Sequence, residues 1–310
     1  MTTGKFTRRA ALATGLSGLL LPSVVWPQST EREIEGGIGG TGIVGVLTDF
    51  GSLIVSGNDV EVTAETTFSD DFGALSEDDI AIGDSLTIEA AGPQRALMAR
   101  RVHRTYPVVG RIGILSSDRR RLIVNGVVVR MGDGNHGFTV GDRVAVSGLW
   151  RGNEVIGSRL SEAADDLDLV SGDVTRGLGT VRIGGVDVRG LGVSALANGS
   201  FASAVGRYDT ETGTLRLERL TKQRFTGAAG PLARLSIEGY LDTTDAAPGY
   251  RIAGLGHSFE RNLDLRAYAE TRVLFNGAYT GRFAAESAVV LPETIAERRR
   301  LLRRLSLERG

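Results

Sequence analysis

The chain contains no cysteine, and proline, histidine and tryptophan are scarce, with 7, 3 and 2 copies in 310 residues. Without cysteine the protein forms no disulfide bond, holds no thiolate-ligated cluster and has no thiol nucleophile. Its stability must therefore come from packed apolar cores. The few prolines, the 43 glycines and the short alternating runs of Val, Ile and Thr favour many short strands over helices.

A recognisable catalytic arrangement is also missing from the sequence. No G-x-S-x-G elbow positions a serine, and His103, His136 and His257 lack the spacing of zinc ligands. The segment 40–45 has the letters of a dinucleotide-binding loop, but that loop needs a strand before it and a helix after it. Here a Gly-rich linker precedes the segment and a strand pattern follows it. We therefore predict no enzymatic activity and no bound cofactor.

The N-terminal segment has the pattern of a twin-arginine export signal. Arg8 and Arg9 precede an uncharged apolar run over residues 10–26. We predict that the export machinery recognises residues 1–29, that this segment is then removed, and that the mature protein is periplasmic. The run of 17 residues falls just short of a spanning helix, so an uncleaved membrane tether is the alternative.

Charge is sorted along the chain. Residues 33–94 contain 13 acids and no basic residue, whereas residues 95–161 contain 12 arginines and 4 acids. Two interpretations are open: the units carry separate solvated surfaces of opposite sign, or the acidic first unit docks on the basic second unit, within one chain or through self-association of two chains. Exposed ion pairs contribute only about 0–1 kcal/mol each, so such docking also needs an apolar contact.

Four related segments follow one another in the sequence. Each has a glycine followed by alternating β-forming residues and, 13 to 16 residues later, a second strand that ends in a turn. The glycines stand 68, 62 and 67 residues apart, at Gly42, Gly110, Gly172 and Gly239. Asn125-Gly126 and Gly184-Gly185 suit tight hairpin turns because both pairs tolerate positive φ.

The first two segments share a further strand that starts at a Gly-Asp turn, over residues 82–90 and 140–148. A last strand closes each unit, and about five short strands per ~65 residues suit a small barrel of the OB type. We predict an all-β fold of about four tandem OB-like Greek-key β-barrels, with an N-terminal signal segment and a short C-terminal helix. The predicted boundaries are 1–29 for the signal, 30–41 for a Gly-rich linker, 42–106, 107–161, 170–225 and 233–290 for the repeats, and 292–310 for the helix.

Two motifs of the second repeat carry a family resemblance, the hairpin 122–129 and the strand 141–148. They resemble a bacterial family of small exported β-barrel repeats of unknown function, recognised by I-x-V-N-G hairpins and a G-D-x-V-x-V-x-G strand. The first repeat ends this strand in Ala90 instead of Gly, and the third and fourth keep the hairpin but lose the Gly-Asp strand. The resemblance implies β-barrel repeats over most of 42–290, but no activity and no functional residue.

A ligand site is predicted at the loop 132–137, which carries a carboxylate, an amide and an imidazole at Asp133, Asn135 and His136. Polar loop residues carry function disproportionately, although a plain turn is the alternative. Guanidinium groups would bind the ligand if it is anionic. The arginines predicted to contact it are Arg119, Arg120, Arg121, Arg130 and Arg143.

Acidic residues cluster in the first repeat, at Asp70, Asp71, Glu77, Asp78 and Asp79. Their oxygens are weak candidates for a hard cation such as calcium. The Asp-x-Asp-x-Asp-Gly spacing of a dedicated loop is missing, so a solvated connection between strands is the simpler interpretation. We predict no metal site.

The C-terminal residues 292–310 are predicted to form a short basic amphipathic helix. Residues 293–310 carry 6 arginines and 3 glutamates. Such a helix can make a peripheral contact with an anionic membrane or an acidic partner. The alternatives are that it caps the last barrel or binds the acidic first repeat.

These features together predict an exported, non-enzymatic binding or assembly module of the periplasm or cell envelope, with an unidentified envelope ligand or protein partner. Two alternatives are a metal- or cofactor-dependent accessory protein or enzyme that is exported folded, and a structural spacer. Nucleic acid is not an expected partner. The compartment argues against it, and the chain without its signal is acidic.

Overall fold

The computed structural model of the protein describes residues 39–163, 165–243, 250–252, 259–260, 268 and 270–308. The predicted export signal with Arg8 and Arg9, most of the linker 30–41 and His257 lie outside the described residues. Within them the fold is all-β with closed barrels and one short C-terminal helix, which confirms the predicted fold class.

Barrel 1 is a five-stranded Greek-key barrel with two additional short strands. Its strands are β1 (Gly40–Asp49), β2 (Leu53–Val55), β3 (Asn58–Glu61), β4 (Thr67–Ser69), β5 (Ala74–Leu75), β6 (Ser85–Ala91) and β7 (Leu97–Thr105), with a 3₁₀ turn at Glu77–Asp79. Strands β1, β2, β3, β7 and β6 pair in that order, and β6 pairs back with β1. Only β3 and β7 are parallel within this ring. This closed ring is an OB-type barrel, and β4 and β5 extend it beside β7.

Barrels 2 and 3 repeat this order. Barrel 2 consists of β8 (Val108–Leu115), β9 (Arg121–Val124), β10 (Val127–Met131), β11 (Arg143–Arg151) and β12 (Glu154–Glu162). Barrel 3 consists of β13 (Asp168–Arg176), β14 (Val181–Ile183), β15 (Val186–Arg189), β16 (Phe201–Asp209) and β17 (Thr214–Thr221), with a 3₁₀ turn at Val193–Ala195. In each barrel the third and fifth strands are parallel and the fourth strand pairs back with the first.

Barrel 4 shows the same relations among its described strands. They are β18 (Leu232–Thr243), β19 (Tyr250–Ile252), β20 (Phe259–Glu260), β21 (Arg272–Tyr279) and β22 (Phe283–Val290). Strand β18 pairs with β19 and β21, while β22 pairs with β21 and, in parallel, with β20. The helix α1 (Ile295–Glu308) follows.

The hairpin turns repeat from barrel to barrel. Ser56-Gly57, Asn125-Gly126 and Gly184-Gly185 have positive φ at both residues, which is the conformation of a type I′ turn. The predicted tight turns are therefore confirmed. Ser56 Oγ donates a hydrogen bond to Val44 O over 3.0 Å, and Asn125 Nδ2 donates to Val109 O over 2.9 Å. These bonds fold the turns of barrels 1 and 2 over the first strand of each barrel.

The glycine of the first repeat that matches the others is Gly45 and not Gly42 as predicted. Gly45, Gly110, Gly172 and Gly239 each pair with the second residue of the fourth barrel strand. A Cβ atom on Gly45 would lie 2.0 Å from Ser56 Oγ, and one on Gly110 would lie 2.1 Å from Asn125 Nδ2. Glycine is therefore required where the hairpin turn crosses the first strand.

The turn before the fourth strand persists in all four barrels. Gly199-Ser200 and Glu270-Thr271 take the place of Gly83-Asp84 and Gly141-Asp142. In each pair the first residue has positive φ and the second donates its N–H to the carbonyl three residues earlier. Repeats three and four lack the Gly-Asp sequence, but the same turn and strand form there with other residues.

A β-bulge follows in each fifth strand, where one extra residue is inserted opposite the fourth strand. The extra residues are Arg100, Ser158, Glu218 and Glu286, and the fourth-strand residues beside them are Ala90, Gly148, Gly206 and Gly277. A Cβ atom on Gly206 would lie 1.9 Å from Arg216 O on the neighbouring strand. The bulge lets the fourth and fifth strands coil tightly around the barrel.

Strand pairing joins the barrels in twos. Strand β1 lies parallel to β18, so barrels 1 and 4 share one sheet, and β8 pairs antiparallel with β13, so barrels 2 and 3 share another. Val46, Leu149 and Tyr240 form an apolar contact among barrels 1, 2 and 4. The described residues belong to one compact unit.

Acids of barrel 1 bind arginines of the other barrels. The fully buried Asp84 carboxylate accepts a hydrogen bond from Arg159 Nη1 of barrel 2 over 2.8 Å. Arg219 Nη2 of barrel 3 donates to Asp71 O over 2.6 Å. Of the two interpretations of the sorted charge, docking of the acidic repeat on the basic repeat is the one that occurs, within the chain and with an apolar contact beside it. Self-association stays a prediction.

Helix α1 packs on barrels 1 and 4. Leu302 is buried against Leu274 and other apolar side chains of barrel 4. Arg299 and Arg303 both bind the Asp49 carboxylate of barrel 1, with Arg299 Nε 2.6 Å from Asp49 Oδ2. Both intramolecular alternatives for this helix are therefore confirmed. Among the residues that the structure describes, no helix has the length and apolar character to cross a bilayer.

Candidate functional site: a polar cleft between barrels 1 and 3

The outer face of β7 forms one wall of a cleft. Side chains alternate along this strand, so Arg101, His103 and Thr105 face outward while Val102 lies in the core of barrel 1. Asp71, which follows β4, lies beside them because β4 runs parallel to β7. These polar side chains line a cleft of about 240 Å³.

Barrel 3 and the linker that follows it form the opposite wall. Phe201 and Ser203 face outward on β16 while Ala202 and Ala204 enter the core of barrel 3. The linker residues that line the cleft are Gln223, Arg224 and Thr226. The residues after β4, the strands β7 and β16 and the linker thus all contribute polar groups to one void.

Glu89 of barrel 1 holds the linker in place. Its fully buried carboxylate accepts hydrogen bonds from Thr226 N, Thr226 Oγ1, Gly227 N and Ala228 N over 2.7–2.9 Å, and from Arg101 Nη1 over 3.3 Å. Burial alone would raise the pKa of Glu89, but the Thr226 and Gly227 hydrogen bonds and the Arg101 charge outweigh it, so the pKa lies below its ordinary value. Glu89 is therefore a buried anion that fixes one edge of the cleft.

Arg224 supplies the deepest charge of this wall. Its guanidinium lies 4.1 Å from the centre of the Phe201 ring, and Nη1 donates to Thr87 Oγ1 over 3.1 Å. Burial lowers the pKa of Arg224 to about 10, although nearby Asp71 and Asp173 partly oppose the shift. The group therefore remains a cation at neutral pH.

Ser69, His103 and Asp71 lie next to one another in the cleft. Ser69 Oγ is 3.0 Å from His103 Nδ1, and His103 Nε2 is 3.8 Å from Asp71 Oδ2. The second distance is too long for a hydrogen bond, and Asp71 Oδ1 accepts one from Ser203 Oγ over 3.0 Å instead. The acid does not orient the imidazole, so the cluster lacks the connected bonds of a catalytic triad. It does offer several hydrogen-bonding groups to a ligand.

The loop predicted as the ligand site is held by its own neighbours. His136 Nε2 donates to Arg119 O over 2.8 Å, and Arg119 Nη2 donates to both His136 O and Phe138 O over 2.6 Å. Asp133 Oδ1 accepts from Asn135 N over 3.1 Å. Arg119 and His136 are thus brought together, but their polar atoms stabilise the loop.

The other predicted arginines divide between two roles. Arg143 binds Asp168 over 3.0 Å and ties barrel 2 to the start of barrel 3. Arg121 and Arg130 are directly opposite on the exposed hairpin of β9 and β10, with the exposed Arg120 beside them. Glu154 pairs with Arg130 over 3.1 Å. Among the predicted arginines, only those of this hairpin are exposed together. None of them lines the cleft between barrels 1 and 3.

The predicted cation ligands are engaged within the protein or lie apart. Asp70 Oδ1 accepts from two backbone N–H groups and Oδ2 binds Arg104 over 3.0 Å. Asp79 caps its own 3₁₀ turn by accepting from Ser76, beside the exposed Glu77 and Asp78. In the described part of the chain, no three potential metal ligands of the His, Cys, Asp or Glu type come together.

The cleft itself was not predicted from the sequence. Its sequence signal is the polar alternation of Arg101, His103 and Thr105 on a strand whose inward residues are apolar. That signal marks an outward face but does not reveal which barrel covers it. The described residues define a tandem OB-barrel protein with a polar cleft between two of its barrels. Neither a scan against protein-family models nor a search of curated proteins finds a match to this chain.

Proposed function

We propose that the protein is an exported, non-enzymatic binding protein of the periplasm or cell envelope. Its ligand is a small, neutral, hydroxyl-rich molecule of the size of one sugar ring, bound in the cleft between barrels 1 and 3. One observation carries this proposal, namely that charged and hydroxyl side chains of both barrels and of the linker surround a void between them.

The polarity of the void supports a binding role. An interface that only joins two barrels gains most from dry apolar packing, because buried polar groups lose solvation. Here Ser69, Thr105, Ser203 and Gln223 line a space of about 240 Å³. A polar space of this size holds water, which a ligand with matching hydroxyl groups can displace.

The charges around the cleft support a neutral ligand. Arg101 is neutralised by Glu89, and Asp71 lies near the buried cation of Arg224. A charged ligand could form its own ion pair in the cleft only by breaking these interactions. Hydroxyl groups can instead donate to the carboxylate and accept from the guanidinium groups.

Binding can be tested on purified protein with glucose, galactose and N-acetylglucosamine, first by thermal shift and then by calorimetry. A sugar at 100 times its Kd should stabilise the protein by about 2.7 kcal/mol. Gln223→Ala removes an exposed side chain of the cleft and should weaken binding about tenfold if its amide bonds the ligand. Gln94→Ala, an exposed glutamine away from the cleft, is the matched control.

Two results would contradict the proposal. One is that none of the sugars raises the melting temperature at millimolar concentration. The other is that Gln223→Ala and Gln94→Ala bind equally well.

An enzymatic role for Ser69 is the second candidate, because its hydroxyl contacts His103. A fluorophosphonate would then form a bond from Ser69 Oγ to phosphorus, with loss of fluoride and transfer of the hydroxyl proton to His103. Because Asp71 is too far from His103 to orient the imidazole, we expect that the fluorophosphonate does not label Ser69. Labelling that Ser69→Ala abolishes would establish an activated serine and refute the non-enzymatic assignment.

A further inference from the structure

Two loops at one end of barrel 3 present the same tetrapeptide. Residues 176–179 and residues 189–192 both read Arg-Gly-Leu-Gly. The first loop connects β13 to β14, and the second follows β15. In each, the leucine lies between two glycines and is almost completely exposed, with relative exposures of 104% at Leu178 and 96% at Leu191.

The two loops lie side by side. Arg176 Nη1, at the base of the first loop, donates to Ser194 O over 2.6 Å and to Leu196 O over 2.8 Å, both just after the second loop. Glycines of both tetrapeptides line one open groove of about 340 Å³ together with Val193. Both leucines therefore project at the same end of barrel 3.

Nothing in the fold requires leucine at either position. Single exposed apolar residues are common on protein surfaces, but two fully exposed leucines on adjacent loops with identical flanks form an apolar patch. The flanking glycines Gly179 and Gly192 have positive φ, and these turns bring the leucines to the loop tips. The leucines thus contribute no core packing and are available to an external surface.

The charges around the loops indicate what kind of external surface the two leucines contact. Neither tetrapeptide contains an acid, and each begins with an arginine. Arg216 lies directly opposite Arg189 on the parallel strand β17. The acids nearby are already paired, Asp187 with Arg182 and Asp209 with Arg216. The loops therefore combine projecting leucines with excess positive charge, which complements an anionic lipid surface.

We propose that these twin Arg-Gly-Leu-Gly loops dock barrel 3 on an anionic bilayer, with Leu178 and Leu191 inserted at the level of the headgroups. A bilayer accepts leucines on glycine-flanked tips without a shaped pocket, whereas a protein partner would need one for each leucine. This docking is independent of the sugar cleft and does not use helix α1, whose Leu302 is buried against barrel 4.

The absence of cysteine gives a specific test on the full chain. Leu178→Cys carries the only thiol and can be labelled with an environment-sensitive fluorophore. Val140→Cys, at an exposed apolar residue of barrel 2, is the matched control. With vesicles of phosphatidylglycerol and phosphatidylcholine, the label at position 178 should shift to shorter wavelength and the label at position 140 should not. Pure phosphatidylcholine should produce a much smaller shift at position 178.

Insertion also predicts the effect of removing a leucine. Leu191→Ser should lower the vesicle affinity measured by the label at position 178 about tenfold. Ile114→Ser, at another exposed apolar residue, should leave that affinity unchanged. Because each label reports its own position, binding through another segment of the chain does not mimic the result.

The proposal is overturned if the label at position 178 stays in water on anionic vesicles, or if adding Leu191→Ser to the labelled Leu178→Cys chain leaves its vesicle affinity unchanged. It is also overturned if the label shifts only with protein concentration, without lipid, and sedimentation shows a dimer. The loops would then contact a second copy of the chain.

Discussion

Replacing Glu89 by alanine should release the linker residues 226–228 from the cleft and destabilise the fold. The carboxylate is fully buried and accepts hydrogen bonds from two side chains and three backbone N–H groups. A hydrogen bond to a charged group contributes about 1.5–3 kcal/mol. The five contributions do not add, because the linker can swing into water and hydrate its own N–H groups. Arg101 cannot move as freely, since its side chain is only 15% exposed.

The expected loss of unfolding free energy is about 3–5 kcal/mol, the range for removing one partner of a buried charged pair. Urea denaturation of Glu89→Ala and the unsubstituted chain measures it. Glu65→Ala is the matched control, because Glu65 pairs with Arg100 but its side chain is 77% exposed. That change should alter stability by less than about 1 kcal/mol. Amide exchange at residues 226–228 should accelerate only in Glu89→Ala.

The dependence of the unfolding free energy on pH in the acidic range gives a second measurement. The pKa of Glu89 is lower in the folded protein than its ordinary value of 4.5. Its contribution is therefore fully present above pH 4.5 and is lost as the pH falls through the folded pKa. Glu89→Ala should lack this part of the acid destabilisation. The reasoning is refuted if Glu89→Ala costs less than about 1 kcal/mol and leaves exchange at residues 226–228 unchanged.

Three further changes test other parts of the structure by denaturation. Glu238→Ala leaves the buried Arg272 without its carboxylate partner at 2.6 Å and should cost about 3–5 kcal/mol; a loss below about 1 kcal/mol would contradict this. Asp49→Asn should lower the unfolding free energy by about 1–2 kcal/mol at neutral pH. The bond from Arg299 lowers the pKa of Asp49 from 3.8 to about 2, so Asp49→Asn should also remove the loss of stability between these two pH values. An unchanged pH dependence in this range would argue against that bond. Gly206→Ala should cost more than about 1 kcal/mol through its clash at the bulge, whereas Gly132→Ala meets open space; equal effects would refute the steric argument.

The barrel type followed from the sequence because its signals are local. Tight turns need residues that tolerate positive φ, and Asn125-Gly126 and Gly184-Gly185 are such residues. In the first repeat the same turn is Ser56-Gly57, whose serine is a weaker signal. The sequence alone points to Gly42 as the matching glycine as readily as to Gly45, because both precede β-forming residues. Only the register of β1 with β6 distinguishes them.

The cleft could not be predicted because it depends on how barrels pack. In the sequence His103 stands apart from the other histidines, and its neighbour Ser69 lies 34 residues earlier in the chain. Ser203, from another barrel, reaches Asp71 across 132 residues. The loop of His136 drew attention through its local composition, but its polar groups bond one another. Sequence composition detects polar residues and cannot tell which of them fold against each other.

One outward position shows how similar barrels acquire different contacts. Arg101, Arg159 and Arg219 occupy equivalent places, next to the bulge in the fifth strand of barrels 1, 2 and 3. All three side chains reach acidic residues of barrel 1, through a carboxylate in two cases and a backbone carbonyl in the third. Barrel 4 has Ser287 there and is joined to barrel 1 by strand pairing. The sorted charge of the sequence therefore reflects assembly around barrel 1. Barrel closure constrains the inward residues, so differences in binding must arise on such outward faces, where the cleft and the twin loops lie.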